Sequence, residues 1–489
     1  MLPLVTESAP SQSVTSRDMS TTLPNGKDDE AGIIGAKDPS SSVDRFFARL
    51  LRRLDLRFIP AFMLMYTLSF FAIANIGNVR ILNTDTGDSL LQVLKMTDEQ
   101  FSLAVVISAV SYAISNIPSN YMLKYLSPRR WLPIIMVGWG ATEMIMAIIQ
   151  NYSTLLGLRF LLGVFVAGLI PGIIYTFTVW YRLRERALRL SLIMAAGPLG
   201  GAFGGVITYA VGSLDRVQGL QAWRWLFIIE GAPSCLLAIF VYSFLPSYPE
   251  KAGWLSPDDR ALAMSRMKQE TSKSLGHATI TWKGAKSTLT DWRLYLHHLF
   301  CIFVSVSMTS VMIFSPTIID GMGYQGGNAQ LFTVPPFALA FIMTVTTSWL
   351  ADRYRMWSTW AMVSMAFAGT TFIVEGVLPP TAFKARYAML CLGTTFIYAS
   401  YPSFLTWFTG NLRDTNATTL AIPMNVASMT FGEMIGMFIY KSAEAPGYPT
   451  GNFTNGAVLF AGAICIGVLK VIYKKRNRGL AVGECPWIT

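Results

Sequence analysis

Apolar residues along this chain gather into long runs separated by short polar loops. Twelve such runs of about 18–25 residues occur, each long enough to cross a hydrocarbon core of roughly 30 Å as a helix. In the first half they fall at 57–77, 100–122, 131–150, 154–177, 188–212 and 224–245. In the second they fall at 294–317, 330–350, 358–378, 385–408, 417–440 and 456–473. The pattern predicts an all-α membrane protein of twelve transmembrane helices, in two six-helix halves on either side of a long polar segment. Spans 3 and 4 are parted by little more than Asn151-Tyr152-Ser153, which predicts a tight hairpin.

The polar segments divide the chain further. Residues 1–43 are rich in Ser, Thr, Gly and Asp and hold no apolar run long enough for a signal peptide, so they read as a disordered cytoplasmic tail. Residues 44–245 make the N-terminal half, entered through the basic amphipathic stretch DRFFARLLRRLDLR. Residues 246–290 form a cytoplasmic linker. Within it, Ser256-Pro257-Asp258-Asp259 supplies an N-cap, a proline at the first helical position and acids in the first turn. A surface helix to about Gln269 is predicted to follow. Residues 291–473 make the C-terminal half, and 474–489 a second cytoplasmic tail.

Composition agrees with this division. Of the residues, 52% are apolar and 14% charged, whereas soluble domains carry about 25% charged residues. So few charges cannot cover a soluble enzyme, and they exclude a disordered chain as well. The three histidines (His277, His297 and His298) leave little material for metal or general-base chemistry, and the chain does not read as an enzyme. The five cysteines imply no disulfide framework.

A net charge of +11 raises the question of a nucleic-acid partner, and the placement of the bases answers it. Arg45, Arg49, Arg52, Arg53 and Arg57 precede span 1, Lys124, Arg129 and Arg130 follow span 2, and Arg182, Arg184, Arg186 and Arg189 follow span 4. Arg353 and Arg355 follow span 8, Arg413 follows span 10, and Lys474, Lys475, Arg476 and Arg478 follow span 12. All lie on one side, so they are topology signals that place both termini in the cytoplasm. The opposite loops hold acids such as Asp85, Asp88, Asp98 and Asp215. The expected partner is a lipid bilayer, most naturally the plasma membrane, and not nucleic acid.

Several residues carry candidate chemistry. Ser348-Trp349-Leu350-Ala351-Asp352-Arg353 follows span 8. An acid there can pair with a base on the other half and bias one of two conformations; alternatively Asp352 and Arg353 only mark the membrane surface. Arg159 opens RFLLGVFVAGLIPG in span 4, where a guanidinium must face a cavity or a partner. It is either a substrate or coupling contact, or a structural arginine satisfied by carbonyls. GPLGGAFGG, from Gly197 to Gly205, permits close helix approach and a bend at Pro198. It lies inside a span, not after a strand, and no Walker A sequence occurs, so no cofactor is expected.

Asn75 and Asn78 in span 1 need polar partners. Tyr66, Phe314, Tyr398, Tyr401 and Trp407 are aromatic candidates to line a cavity. Glu433 in span 11 is a relocated proton site, a donor to a polar substrate, or a neutral glutamate bonded to a neighbouring helix. Glu143, Glu230 and Glu375 lie in or near spans without an assigned role. Asn452-Phe453-Thr454 lies in an outward loop as a candidate glycosylation acceptor.

These stretches carry a family resemblance. The segment ending in Asp352-Arg353 resembles the cytoplasmic gate motif G-x-L-A-D-R of the major facilitator superfamily, with Ser348 in first position. From about residue 55 to 450 the chain resembles that superfamily's fungal anion:cation symporter branch, the allantoate, nicotinate and pantothenate permease type. Asn75-Ile76-Gly77-Asn78, IPSNYMLKYLSPRRWLP, Trp139-Gly140, WRWLFIIEG and Ala445-Pro446-Gly447-Tyr448 carry the likeness. It implies two parallel halves around a midplane site and proton-coupled uptake of a small organic anion.

The departures fall on the charged positions. Where that branch has Leu-Asp-Arg-Ser-Asn in its first helix, this chain has Phe71-Ala72-Ile73-Ala74-Asn75. The acid two turns after the fourth helix's arginine, on the same face, is replaced by Val166. Ala417-Thr418 stands where a Lys-Arg pair is usual.

The sequence thus predicts a monomeric secondary transporter working by alternating access on a small organic solute. The lost charges favour a less charged, more apolar solute, such as a fungal secondary metabolite or its precursor. Proton-coupled uptake of a small carboxylate is the alternative, and a non-transporting membrane receptor a further one. Candidate substrate contacts are Arg159, Asn75, Asn78, Glu433, Tyr398 and Trp407.

Overall fold

A computed structural model describes residues 39–84, 86–246, 248–274, 282–324, 327–412, 415–480 and 486–489. The predicted tail up to residue 38, together with Asp85, His277, Arg413 and Cys485, lies outside the described residues. Arg52–Thr489 forms a compact unit to which the apolar spans belong.

Every element among the described residues is helical. The first half contains α1 (Pro39–Ile81), α2 (Asp98–Leu126), α3 (Pro128–Met146), α4 (Tyr152–Val166, resuming as Leu169–Trp180), α5 (Leu183–Gly212) and α6 (Ala222–Phe244). The second contains α7 (Trp292–Gly321), α8 (Val334–Tyr354), α9 (Trp357–Val377), α10 (Phe383–Gly410), α11 (Thr415–Gly436) and α12 (Pro449–Arg478). Each predicted span coincides with one of these, so the fold is a twelve-helix membrane bundle.

Two local features depart from the sequence pattern. The fourth span is broken at Ala167-Gly168. Pro171 has no N–H to offer the carbonyl four residues back, that of Ala167, and its ring crowds it. The linker helix is described as far as Ser274, beyond the predicted Gln269. Its start is as predicted: the Ser256 hydroxyl accepts the Asp259 N–H at 3.1 Å.

The bases at one end of the bundle do more than mark topology. Arg57 donates from Nε and Nη2 to the Phe244 carbonyl at 2.9 and 2.6 Å, tying α1 to α6. Arg189 of α5 grips both oxygens of Asp55 in α1, and Arg53 pairs with Asp259 of the linker helix at 2.8 Å. At the opposite end the two halves touch. Gln330 Nε2 donates to the Asn78 carbonyl at 3.1 Å, and Arg80 of α1 reaches Ser442 beyond α11.

Glycine decides where helices cross. A Cβ on Gly140 of α3 would lie 2.8 Å from the Gly231 carbonyl oxygen of α6, and one on Gly231 would lie 2.7 Å from that of Gly140. Only hydrogen fits at both positions, so α3 and α6 meet backbone to backbone. The glycine run of α5 works on two faces: Gly197 and Gly200 lie against Tyr66 and Phe70 of α1, and Gly201 lies against Phe337 of α8.

Candidate functional site

Between the halves lies a cavity of about 190 Å³, walled by α1, α2, α4 and α5 on one side and α7, α10 and α11 on the other. Its lining is chiefly apolar, with five methionines (Met194, Met308, Met312, Met429 and Met437) and four tyrosines (Tyr66, Tyr112, Tyr398 and Tyr401). Methionine is unbranched and polarisable, which lets such a wall adapt to an irregular apolar body. The charged residues of the lining are Arg159 and Glu433, one from each half.

Arg159 projects from α4 toward α1, where Nη1 donates to the Ala72 carbonyl at 3.4 Å. Its side chain is 1% exposed, and Nε and Nη2 find no hydrogen-bond partner among the described residues. The guanidinium thus meets the backbone of the residue that stands where the resembling branch carries an acid. Its electrostatic partner is Glu143 of α3. Val166, two turns along α4, offers no acid, and the carboxyl near Arg159 comes instead from the neighbouring helix, one turn beyond the Gly140 crossing.

Glu433 comes from α11 and is half-buried. Tyr66, Tyr112 and Tyr401 surround it closely enough to feel its charge. Tyr398 lines the cavity and packs edge-on against Phe337, their centroids 5.9 Å apart.

Other candidates stand elsewhere. Asn75 is 1% exposed and does not line the cavity; it lies behind Arg159 beside Glu143. Asn78 shares with Asn75 and Glu230 a separate cavity of about 20 Å³. Phe314 faces Tyr440 at 5.6 Å, away from the central space. Asp352 and Arg353 are exposed at the last turn of α8, without an ion-pair partner among the described residues.

Two expectations are corrected. Trp407 is fully buried outside the cavity: its Nε1 donates to the Ile488 carbonyl at 2.7 Å, and its ring packs on His297 and Tyr473. The end of the chain folds back onto α10, a contact no local pattern announces. Asn452 is not a loop residue. It is 1% exposed in the first turn of α12, its Oδ1 accepts the Tyr440 hydroxyl at 2.8 Å, and no glycan can be attached to that amide in the folded protein.

Tyr112 and the five methionines escaped sequence reading because apolar and aromatic residues occur on every face of these helices. The second half holds a buried Arg–Glu couple too: Arg386 lies near Glu375 and donates to the carbonyls of Pro446 and Gly447 at 2.7 and 2.8 Å. There the loop backbone accepts from both Nη atoms and only Nε lacks a partner among the described residues, whereas Arg159 lacks one at both Nε and Nη2 and faces the cavity.

Similarity to known proteins agrees with this geometry. The sequence profile of the Major Facilitator Superfamily matches residues 58–439. The MFS transporter prlL of Fungal sp. (strain NRRL 50135) is 42% identical over 450 residues, covering 91% of this chain and 91% of its own. The MFS-type transporter cnsO of Penicillium expansum is 29% identical over 450 residues, 89% of this chain and 86% of its own. The solved structure of the proton:xylose symporter XylE bound to 6-bromo-6-deoxy-D-glucose shares the fold. Its TM-score is 0.65 at 13% identity, over 86% of this chain and 95% of that one. With twelve helices, two halves and a cavity between them, the chain belongs to the Major Facilitator Superfamily and is a secondary transporter of a small organic solute.

Proposed function

We propose that the cargo is a compact, largely apolar organic molecule with one polar or acidic group, of the kind a fungus makes as a secondary metabolite or its precursor. The observation that carries this reading is the cavity wall: chiefly apolar, with five methionines and four tyrosines, a few Ser and Thr hydroxyls, and charge only at Arg159 and Glu433. Such a wall holds an apolar body by burial, while the two charged side chains, with Tyr398 nearby, orient its polar group. Fully hydrated sugars or dicarboxylates would leave too many polar groups unpaired there.

The second reading keeps the branch resemblance, with a small carboxylate as cargo. What favours it is the unsatisfied guanidinium of Arg159, which suits a carboxylate. Against it stand Ala72, Ile73 and Val166 at that branch's charged positions.

The basic end is taken as cytoplasmic, with both termini inside, a plasma-membrane location and a monomer as the working unit. The cavity is formed by one chain, and the bases are distributed by the positive-inside rule. Asp352 and Arg353 then act at the cytoplasmic side, pairing when that side closes.

Uptake and efflux in a null host, with amphipathic and carboxylate compounds offered in parallel, test the two readings. Arg159→Ala is expected to abolish carboxylate transport and to raise KM for an amphipathic cargo, and Glu433→Gln to raise KM for the latter alone. Transport confined to polyhydroxylated or dicarboxylate compounds, insensitive to either variant, would sink the cavity assignment.

A further inference from the structure

The polar groups behind Arg159 are more numerous than packing requires. The backbone crossing at Gly140 and Gly231 brings Glu143 of α3 and Glu230 of α6 together in the middle of the first half. Glu143, Glu230, Asn75 and Arg159 are each only 1–2% exposed. Among the described residues, the carboxyl oxygens of Glu230 find no hydrogen-bond partner, and those of Glu143 have only the neighbouring Asn75 amide as a side-chain donor, short of a well-formed hydrogen bond. Unpaired polar groups buried to this degree are costly and are kept where they bind something. The small cavity of about 20 Å³ against Asn75, Asn78 and Glu230 has room for a water molecule.

The charges do not cancel as they stand. The groups facing Glu143 are Arg159 of α4, Glu230 and Cys235 of α6, and Asn75 of α1. Two carboxyls therefore share one guanidinium, and the set is neutral when it holds one proton. We propose that Glu143 and Glu230 form a proton-binding site that shares the guanidinium of Arg159 with the cargo cavity.

The step needs nothing beyond an O–H bond. A proton from water adds to a carboxylate oxygen of the pair, and the same proton returns to water when the site is exposed on the other side. With both glutamates ionised, Arg159 is held toward α3. With the proton aboard, one carboxylate is released from that demand and the guanidinium is free to meet an acidic or polar group in the cavity. Cargo and proton are thereby linked through one side chain, which a relocated acid on α11 is not placed to do: Glu433 lies on the opposite wall.

The link to cargo rests on the proposed cavity function, but titration of the site does not, so the two fail separately. The measurement is infrared difference spectroscopy of the full-length protein in lipid nanodiscs, recorded against pH with the proton as the only ligand. Wild type minus Glu143→Gln is expected to isolate a buried carboxyl C=O band that rises with acid. Its midpoint is expected to move by about one pH unit or more in Arg159→Ala and in Glu230→Gln. Where Glu143→Gln does not fold, Glu143→Asp keeps the carboxyl and must shift both band and midpoint. A spectrum unchanged by either Glu143 substitution at every pH, or a midpoint indifferent to Arg159→Ala, overturns the proposal.

Discussion

Arg80 ties the two halves together at the end away from the basic loops: its Nη2 lies 3.0 Å from Ser442 Oγ and 2.6 Å from Asp98 Oδ1. The guanidinium also stacks over Phe101 of the first half and Phe314 of the second, at 5.0 and 5.6 Å. Together with the bond from Gln330 to the Asn78 carbonyl, this is a latch, closed at the end away from the basic loops, that alternating access must break. Arg80→Ala should therefore favour the conformation open at that end, by roughly 1–2 kcal/mol or about a tenfold change in population. Spin-label distances between the ends of α1 and α7 nearest Arg80 report it; an unchanged distance distribution would remove Arg80 from the latch.

Asn452 is expected to remain unglycosylated. Endoglycosidase treatment should leave the mobility of protein expressed in a fungal host unchanged at this site. Asn452→Ala, by contrast, removes the acceptor of the Tyr440 hydroxyl, leaving it only the N–H that Asn455 donates at 3.1 Å, and should cost about 1–2 kcal/mol of stability.

Trp407 and Tyr398 should separate cleanly. Trp407→Phe removes the donor to Ile488 and is expected to lower stability by about 1 kcal/mol while leaving KM for cargo as it is. Tyr398→Ala opens the cavity wall and should change KM by several-fold. Paired thermal unfolding and transport kinetics decide between these assignments.

Asp291 sets an acid limit on the second half. It caps α7, accepting the Arg293 N–H at 3.1 Å, and pairs with its guanidinium. Burial pushes the Asp291 carboxyl up, but the hydrogen bonds from Arg293 outweigh this and hold it below the usual carboxylate range. A depressed group contributes stability above its unfolded value and loses it as pH falls through the folded one. The thermal midpoint should therefore fall on acidification below the ordinary carboxylate range, and Asp291→Asn should flatten that fall.

Reading along the chain found the spans because hydrocarbon thickness imposes a length on every apolar run. It found the linker helix because Ser256 and Pro257 are local signals. Arg159 and Glu433 stand out in the sequence because a charge in a span is conspicuous by itself, and both line the cavity. The same reading misplaced Trp407 and Asn452, whose partners are Ile488 and Tyr440. It had no use for Glu143 and Glu230, since each is ordinary until the other is seen.

The sequence alone therefore determined the twelve-helix architecture, the distribution of charge between the two faces of the bundle and the scarcity of charge inside it. These follow from the solvent, which acts on each residue wherever it lies in the chain. Only the tertiary structure decided which carboxyl answers Arg159, which aromatics wall the cavity and where the halves latch. Those depend on helix rotation and on crossings such as Gly140 against Gly231, where two hydrogens let backbones meet and carry distant side chains into one site.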